Sequence, residues 1–208
     1  MHEREAGVSS DEERVLELCE ELISKHDPGS TAPEVFLGAQ FDMGLAWVSF
    51  PEGNGGLGLA PNFQNAVNER LWGAGAPVSA MRNPIGHGMG APTIVVHGSD
   101  AQKQRYLRPL FTGEEVWCQL FSEPGAGSDV AGLSSRAVRD GEEWIVNGQK
   151  VWTTLAHISR WGMLIAPPTP TSRSTRVSPT SSSTCRHRGS RCGRWSRSPV
   201  RRSSTRST

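Results

Sequence analysis

Residues 108–122 read RPLFTGEEVWCQLFS, and the character of the chain changes inside them. Upstream of Thr112-Gly113 the apolar residues recur at helical spacing. Downstream, VWCQLF is β-branched and aromatic at strand length. Working back from the break, Ser99-Asp100-Ala101-Gln102 is a capping box that opens a helix running to about Leu110. Pro61 suits the first turn of a helix reaching Leu71 or Trp72, after the glycine-rich loop FPEGNGGLGLAP. Glu34 to Val48 reads as helix despite Gly38 and Gly44. Val15, Leu18 and Leu22, with Leu16, Cys19 and Ile23 beside them, mark a first helix from Asp11 to about His26. Ser9 or Ser10 is its N-cap, acids fill its first turn, and Pro28-Gly29 ends it.

Working forward, SSRAVRD and EEWIVNGQKVWTTL are strands joined at Asp140-Gly141. Asn147-Gly148 supplies a second hairpin signal, and WGMLIA is one more strand. Helices followed by strands imply an α+β fold. The expected domains are an all-helical one (residues 1–112), the start of an antiparallel β domain cut short (113–166), and a tail (167–208).

The charge is as uneven as the periodicity. The whole chain carries 22 Lys and Arg against 21 Asp and Glu, a net +1. Ten arginines follow residue 166, where there is no Asp, Glu or Lys. Residues 1–166 therefore hold 12 basic against 21 acidic residues, a charge of −9, and the tail is +10. Cys19, Cys118, Cys185 and Cys192 form no C-x-x-C pair, which argues against a disulfide framework or a structural zinc site and suits a reducing compartment. No apolar run reaches transmembrane length, and the acidic start MHEREAGVSSDEER is no signal peptide, so the sequence reads as soluble and cytoplasmic.

The chemistry concentrates in LFSEPGAGSDVAGL, residues 120–133. Three glycines near a serine and an aspartate can bring backbone N–H groups close to an anion; the same composition also makes a plain turn between strands. Strand-like sequence follows instead of a helix, against a Rossmann-type nucleotide loop. FSEPGAGSDVAG, with NGQKVWTT some twenty residues later, resembles the flavin-binding signature of the acyl-CoA dehydrogenase family. PEGNGGLG, NPIGHGMGAPTIVVHGS and QKQRYLRPLFTGE resemble that family's N-terminal helical domain in the same order. The resemblance covers about residues 30–166, with Phe121 standing where smaller aliphatic residues are common.

That resemblance implies FAD as cofactor, lined by Gln119, Leu120, Phe121, Ser122, Gly127 and Ser128 and by Trp152, Thr153 and Thr154. Ser122 would bond the pyrimidine edge, Gly127 and Ser128 would meet the pyrophosphate, and Ser128 would also meet the acyl-CoA. Trp152 would pack on the isoalloxazine and Thr154 would offer its hydroxyl near N5. By residue type alone, Trp152 better suits a β-domain core and Thr154 an exposed strand. The family's reaction is α,β-dehydrogenation of an acyl-CoA thioester, in homo-oligomers that pass electrons to an electron-transfer flavoprotein. Its base is a glutamate of a C-terminal helical domain, so no catalytic residue is expected among these 208. Activity is therefore not expected of the chain as written, and a non-catalytic flavin- or acyl-CoA-binding fragment is the alternative.

The remaining eye-catching residues have plainer readings. His87 and His97 flank a glycine-rich stretch without a third ligand at metal spacing, so no metal is expected. Cys118 lies in a strand and reads as buried. Glu69-Arg70 and Lys103 to Arg105 read as solvated helix faces, and Ser128-Asp129 lacks the G-x-S-x-G order of a hydrolase elbow.

The tail offers five apolar residues in 42 (Val177, Cys185, Cys192, Trp195, Val200), too few to offset chain entropy, so disorder is expected. A frameshift accounts for it. Codons compatible with Ser178 to Pro199, read from the third base of the first, give SYFLVDMPAPGVEVRPVVEIT: a strand, a Pro-Gly turn and another strand. The competing reading is a basic tail that binds nucleic acid through phosphate contacts. The coding DNA separates them: an open shifted frame downstream is the expected result, and stop codons there support the basic tail.

Overall fold

The computed structural model describes residues 10–140 and 143–167. The predicted tail therefore lies outside the described residues, apart from Pro167. The chain divides into two compact units between Glu115 and Val116.

The first unit contains helices and, among its described residues, no strand. Helix α1 (Ser10–Lys25) has Asp11, Glu12 and Glu13 in its first turn and Lys25 in its last, the charge order that the helix dipole favours. It buries Val15, Cys19 and Leu22, spaced to fall on one face, against α3 (Phe63–Gly73) and its Val67 and Leu71. Each such aliphatic side chain removed from water contributes about 1.5–3 kcal/mol. Burial also pushes the Cys19 thiol up to about 11. Arg70 on α3 reaches across to the Glu20 carboxylate with two nitrogens, so this helix face is cross-linked as well as solvated.

Helix α2 (Pro33–Asp42) stops six residues short of the predicted Val48. The reason is Gly44, whose φ of +78° turns the chain left-handed. Its N–H donates to Phe41 O and that of Leu45 to Gln40 O, the bond pair of a helix-ending Schellman turn. A side chain at Gly44 would strike Leu57 and the Gly56 carbonyl, so the chain beyond it packs as a loop. There Ala46 and Trp47 donate to Gly55 O, while Leu57 and Leu59 donate to Val48 O.

Helix α4 (Ser79–Arg82), the π-turn Gly86–Gly90 and α5 (Ala91–His97) carry no strong sequence signal and were not anticipated. Helix α6 (Asp100–Thr112) opens with the predicted capping box. Gln102 N donates to Ser99 Oγ at 3.3 Å and Ser99 N to Gln102 Oε1 at 2.8 Å. Its far end is finished by side chains from α4 and just beyond. Ser79 Oγ donates to Phe111 O at 2.6 Å, and Asn83 Nδ2 to Leu110 O at 2.9 Å and Glu115 O at 3.2 Å. The guanidinium of Arg105 grips Glu115 through two bonds of 2.8 and 3.0 Å, which the expectation of a merely solvated face overlooked.

Beside this end sits an aromatic cluster. Trp47 lies 4.9 Å from both Phe50 and Phe111 and 5.1 Å from His87, measured between ring centroids. Burial pushes His87 down, toward the neutral form. The single Ser79 hydroxyl proton is committed to Phe111 O, so at 3.3 Å His87 Nδ1 donates to Ser79 Oγ.

Among its described residues, the second unit has two small sheets. Strands β2 (Arg136–Asp140) and β3 (Glu143–Asn147) form an antiparallel hairpin about the predicted Asp140-Gly141 position, with Arg136 opposite Asn147 and Asp140 opposite Glu143. Strands β1 (Trp117–Leu120) and β4 (Trp161–Leu164) pair in parallel, Trp117 opposite Trp161 and Leu120 opposite Leu164. That pairing departs from an all-antiparallel reading, because the chain between the two strands turns back on itself before β4. Asn147-Gly148 is no hairpin. Gly148 passes so close to Ser135 that a Cβ there would lie 2.0 Å from Ser135 Oγ, and the chain beyond it has no strand until β4. Cys118 is buried with Leu120, Ala156 and Leu164, as its strand position implied.

Asn83 is fully buried and also accepts from Gly86 N through Oδ1. Asn83→Ala leaves those groups unmet and is expected to destabilise the helical unit by about 2–4 kcal/mol, read as a lower urea midpoint by far-UV circular dichroism.

Candidate functional site

The site is built where β1 ends. After Leu120 the chain runs through Phe121 and Ser122 into a tight turn about Pro124-Gly125. Glu123 N donates to Ala126 O at 2.8 Å and Ala126 N to Glu123 O at 3.1 Å. Gly127, Ser128 and Asp129 follow, all exposed. The space beside the Cα of Gly125 and Gly127 is open to beyond 4 Å, so their backbone can be approached closely.

The turn is anchored by Glu123, whose side chain is 2% exposed. Its Oε2 accepts from Ser134 N and Ser134 Oγ, both at 2.6 Å. Its Oε1 accepts from Ser135 N at 3.0 Å and from Lys150 Nζ at 2.9 Å. The Lys150 ammonium also donates to Phe121 O at 2.9 Å and Ile165 O at 2.7 Å. Four donors thus meet the carboxylate, and three acceptors meet the three ammonium protons. Burial alone would raise the Glu123 carboxyl; the bonds from Ser134, Ser135 and Lys150 outweigh it and hold the group well below the usual carboxylate range.

Lys150 delivers the second motif to the first. Its neighbour Val151 donates its N–H to Ser122 O at 2.9 Å. Trp152 follows with φ +57° and Leu155 with φ +63°, left-handed values that a bulky residue adopts only where its surroundings impose them. Thr154 N donates to Trp152 O at 3.1 Å, Ala156 N to Thr153 O at 3.1 Å, and Ala156 is buried beside Leu120. The Trp152 side chain emerges 83% exposed, so it is no core residue, and Thr154 is exposed in a coil rather than a strand.

The structure therefore brings Phe121 and Ser122 against the segment that carries Trp152, Thr153 and Thr154. Gln119 is half-buried in β1, paired with Met163 across the sheet. Leu120 faces the core and leaves only backbone for a ligand. Gly127 and Ser128 lie beyond the turn, with no bond to the Lys150–Thr154 segment among the described residues. The arrangement suits a flat, polar-rimmed group: an exposed aromatic face, hydroxyls of Ser122 and Thr154 with no partner among the described residues, and open glycine backbone. Glu123 and Lys150 stand inside the two quoted motifs, and neither is legible from the sequence as half of a buried ion pair. They lie 27 residues apart among other charged residues, Asp129, Arg136, Arg139, Asp140, Glu142 and Glu143, so nothing local marks them as partners.

Two family models divide the chain at the same place. The acyl-CoA dehydrogenase N-terminal domain matches residues 12–114, and the acyl-CoA dehydrogenase middle domain matches residues 118–198. The chain belongs to the acyl-CoA dehydrogenase family. The middle-domain match continues past Pro167 into the segment set apart above by composition. Acyl-CoA dehydrogenase IpdE1 of Mycobacterium tuberculosis is 42% identical over 123 residues, covering 59% of this chain and 31% of that one. Acyl-CoA dehydrogenase FadE34 of the same organism is 46% identical over 111 residues, covering 53% of this chain and 15% of that one. The crystal structure of the ChsE4-ChsE5 complex from Mycobacterium tuberculosis matches with a TM-score of 0.54 at 28% identity, over 79% of this chain and 44% of that one. The chain thus spans about a third or less of either curated relative. Among the described residues of this family member, no helix is long and apolar enough to cross a membrane.

Breaking a buried ion pair from one side strands a charge. Lys150→Met is expected to cost about 3–5 kcal/mol, measured by urea unfolding of the chain. Because the folded Glu123 carboxyl is depressed, its stabilisation is complete above the unfolded carboxylate range, near ~4.3, and is lost as the pH falls from there through the folded value. Glu123→Gln should flatten that acid limb of stability against pH; an unchanged limb would assign it to other carboxylates.

Proposed function

We propose that the second unit holds the isoalloxazine edge of FAD, and that the whole protein dehydrogenates an acyl-CoA thioester between Cα and Cβ. The observation that carries this reading is Trp152: a large aromatic, 83% exposed, fixed in a left-handed backbone beside Ser122. Leaving such a ring in water forgoes its burial, and holding it there costs backbone strain of about 1–3 kcal/mol. Both are offset if a planar group covers the ring.

In this reading Trp152 supplies the stacking face and excludes water from one side. Ser122 and Thr154 offer neutral hydroxyls to the polar rim, and the backbone N–H groups of Gly127 and Ser128 meet the pyrophosphate. Ser128 also meets the acyl-CoA. When bound, FAD supplies the acceptor for the hydride that leaves Cβ. The α-proton needs a base, and Glu123 is unsuited to that role, since both its oxygens are occupied and it is held ionised by Lys150. The base is proposed to be a glutamate in the length of the relatives that these 208 residues do not span. Assembly into an oligomer and electron delivery to an electron-transfer flavoprotein belong to the same proposal.

The test is a titration of the chain with FAD, followed by tryptophan quenching and by the visible spectrum retained after gel filtration. Saturable binding is expected, and Trp152→Ala should weaken it about fivefold or more, the equivalent of ~1 kcal/mol for an aromatic contact. Equal affinity in the variant would remove Trp152 from the site; no uptake by the parent chain would sink the reading.

A further inference from the structure

We infer that Lys150 is a positioning residue: its buried ammonium holds Ser122 and the Trp152–Leu155 segment ready for a planar cofactor before one arrives. The inference rests on the flavin reading above and adds to it the residue that prepares the site. Lys150 itself touches no cofactor in this assignment. It acts through the two segments that do.

The geometry makes the case. The ammonium binds the carbonyl of Phe121, the residue before Ser122, and the carbonyl of Ile165, the residue after β4. The next residue along, Val151, bonds Ser122 O directly. The N-terminal side of the strained segment is thereby fixed to the end of β1. Its C-terminal side is fixed by Ala156, buried against Cys118, Leu120 and Leu164. Between these two anchors lie Trp152 and Leu155, the two non-glycine residues with positive φ among those described. A strained conformation persists where its flanks over-determine it, and here one flank depends on a single side chain. Glu123 has a different part. It neutralises Lys150 and ties down Ser134 and Ser135, but it bonds neither carbonyl that Lys150 holds. The two members of one ion pair should therefore differ in what their loss does to the cofactor.

Three chains distinguish this from plain structural support: the parent, Glu123→Gln and Lys150→Met, each measured for urea midpoint and FAD affinity. Both substitutions should lower the midpoint. Glu123→Gln, which leaves the Phe121 and Ile165 bonds in place, should keep FAD affinity within about threefold. Lys150→Met should lose tenfold or more. Affinity that falls with stability in both variants, or in neither, overturns the inference. Should Lys150→Met fail to fold, Lys150→Arg replaces it. A planar guanidinium cannot place three donors on acceptors that converge on one nitrogen, so a folded chain with at least threefold weaker binding is expected. Amide exchange of the cofactor-free parent decides independently. The Val151 amide should exchange only with unfolding of the β unit, and loop-like exchange there would refute a prepared site even if FAD binds. Slow exchange in a chain that takes up no FAD would instead support the clamp and reject the flavin reading.

Discussion

The buried pair of Glu123 and Lys150 is the contact on which the second unit depends. An uncompensated charge in a protein interior is expensive, so a carboxylate and an ammonium that are both removed from water must find every bond they lose. Here they do: four donors reach the carboxylate and three acceptors reach the ammonium. Satisfying both charges requires the end of β1, the Pro124-Gly125 turn, the Ser134-Ser135 segment and the end of β4 to converge on one point. Two motifs far apart in sequence are thereby made neighbours. The small parallel sheet of β1 and β4 could not do this alone, since it contributes only four paired residues from each strand.

The helical unit solves a related problem with neutral groups. A helix leaves its last carbonyls unpaired, and α6 ends in buried surroundings where water cannot reach them. Ser79 and Asn83, on and just past the short α4, supply the missing donors, and Arg105 folds back onto Glu115 at the boundary of the unit. The same Ser79 hydroxyl fixes the His87 tautomer within the aromatic cluster. His87 is thus occupied in packing, tilted against Trp47 and Phe111.

Function follows from how the β unit spends its rigidity. An exposed tryptophan on left-handed backbone gains nothing for the isolated fold; in the proposed reading it is a surface kept ready for a planar partner. The neutral hydroxyls of Ser122 and Thr154 and the open backbone of Gly125 and Gly127 extend the same surface with hydrogen-bonding groups and without charge. The Lys150 ammonium is turned inward, its three protons taken by Phe121 O, Glu123 Oε1 and Ile165 O, so in the proposed reading a ligand would be oriented by shape and neutral bonds.

Sequence periodicity was enough for α1, α6 and the Asp140-Gly141 hairpin. Each is specified locally, by an apolar stripe, a capping box, or a turn that adjacent residues complete. Gly127, Ser128, Trp152 and Thr154 became candidates only through resemblance to a family motif, not through local pattern. Local pattern went astray at Val48 and at Asn147-Gly148. In both places a glycine serves contact with a distant residue: Gly44 against Leu57, Gly148 against Ser135. No local pattern records a close approach across the chain. The parallel pairing of β1 with β4, the outward turn of Trp152 and the partnership of Glu123 with Lys150 likewise exist only when remote segments meet. By itself the sequence determined which residues could form helices, strands and a cofactor motif. Tertiary structure alone decided which of them touch, because burying a charge requires partners that only the folded chain can gather.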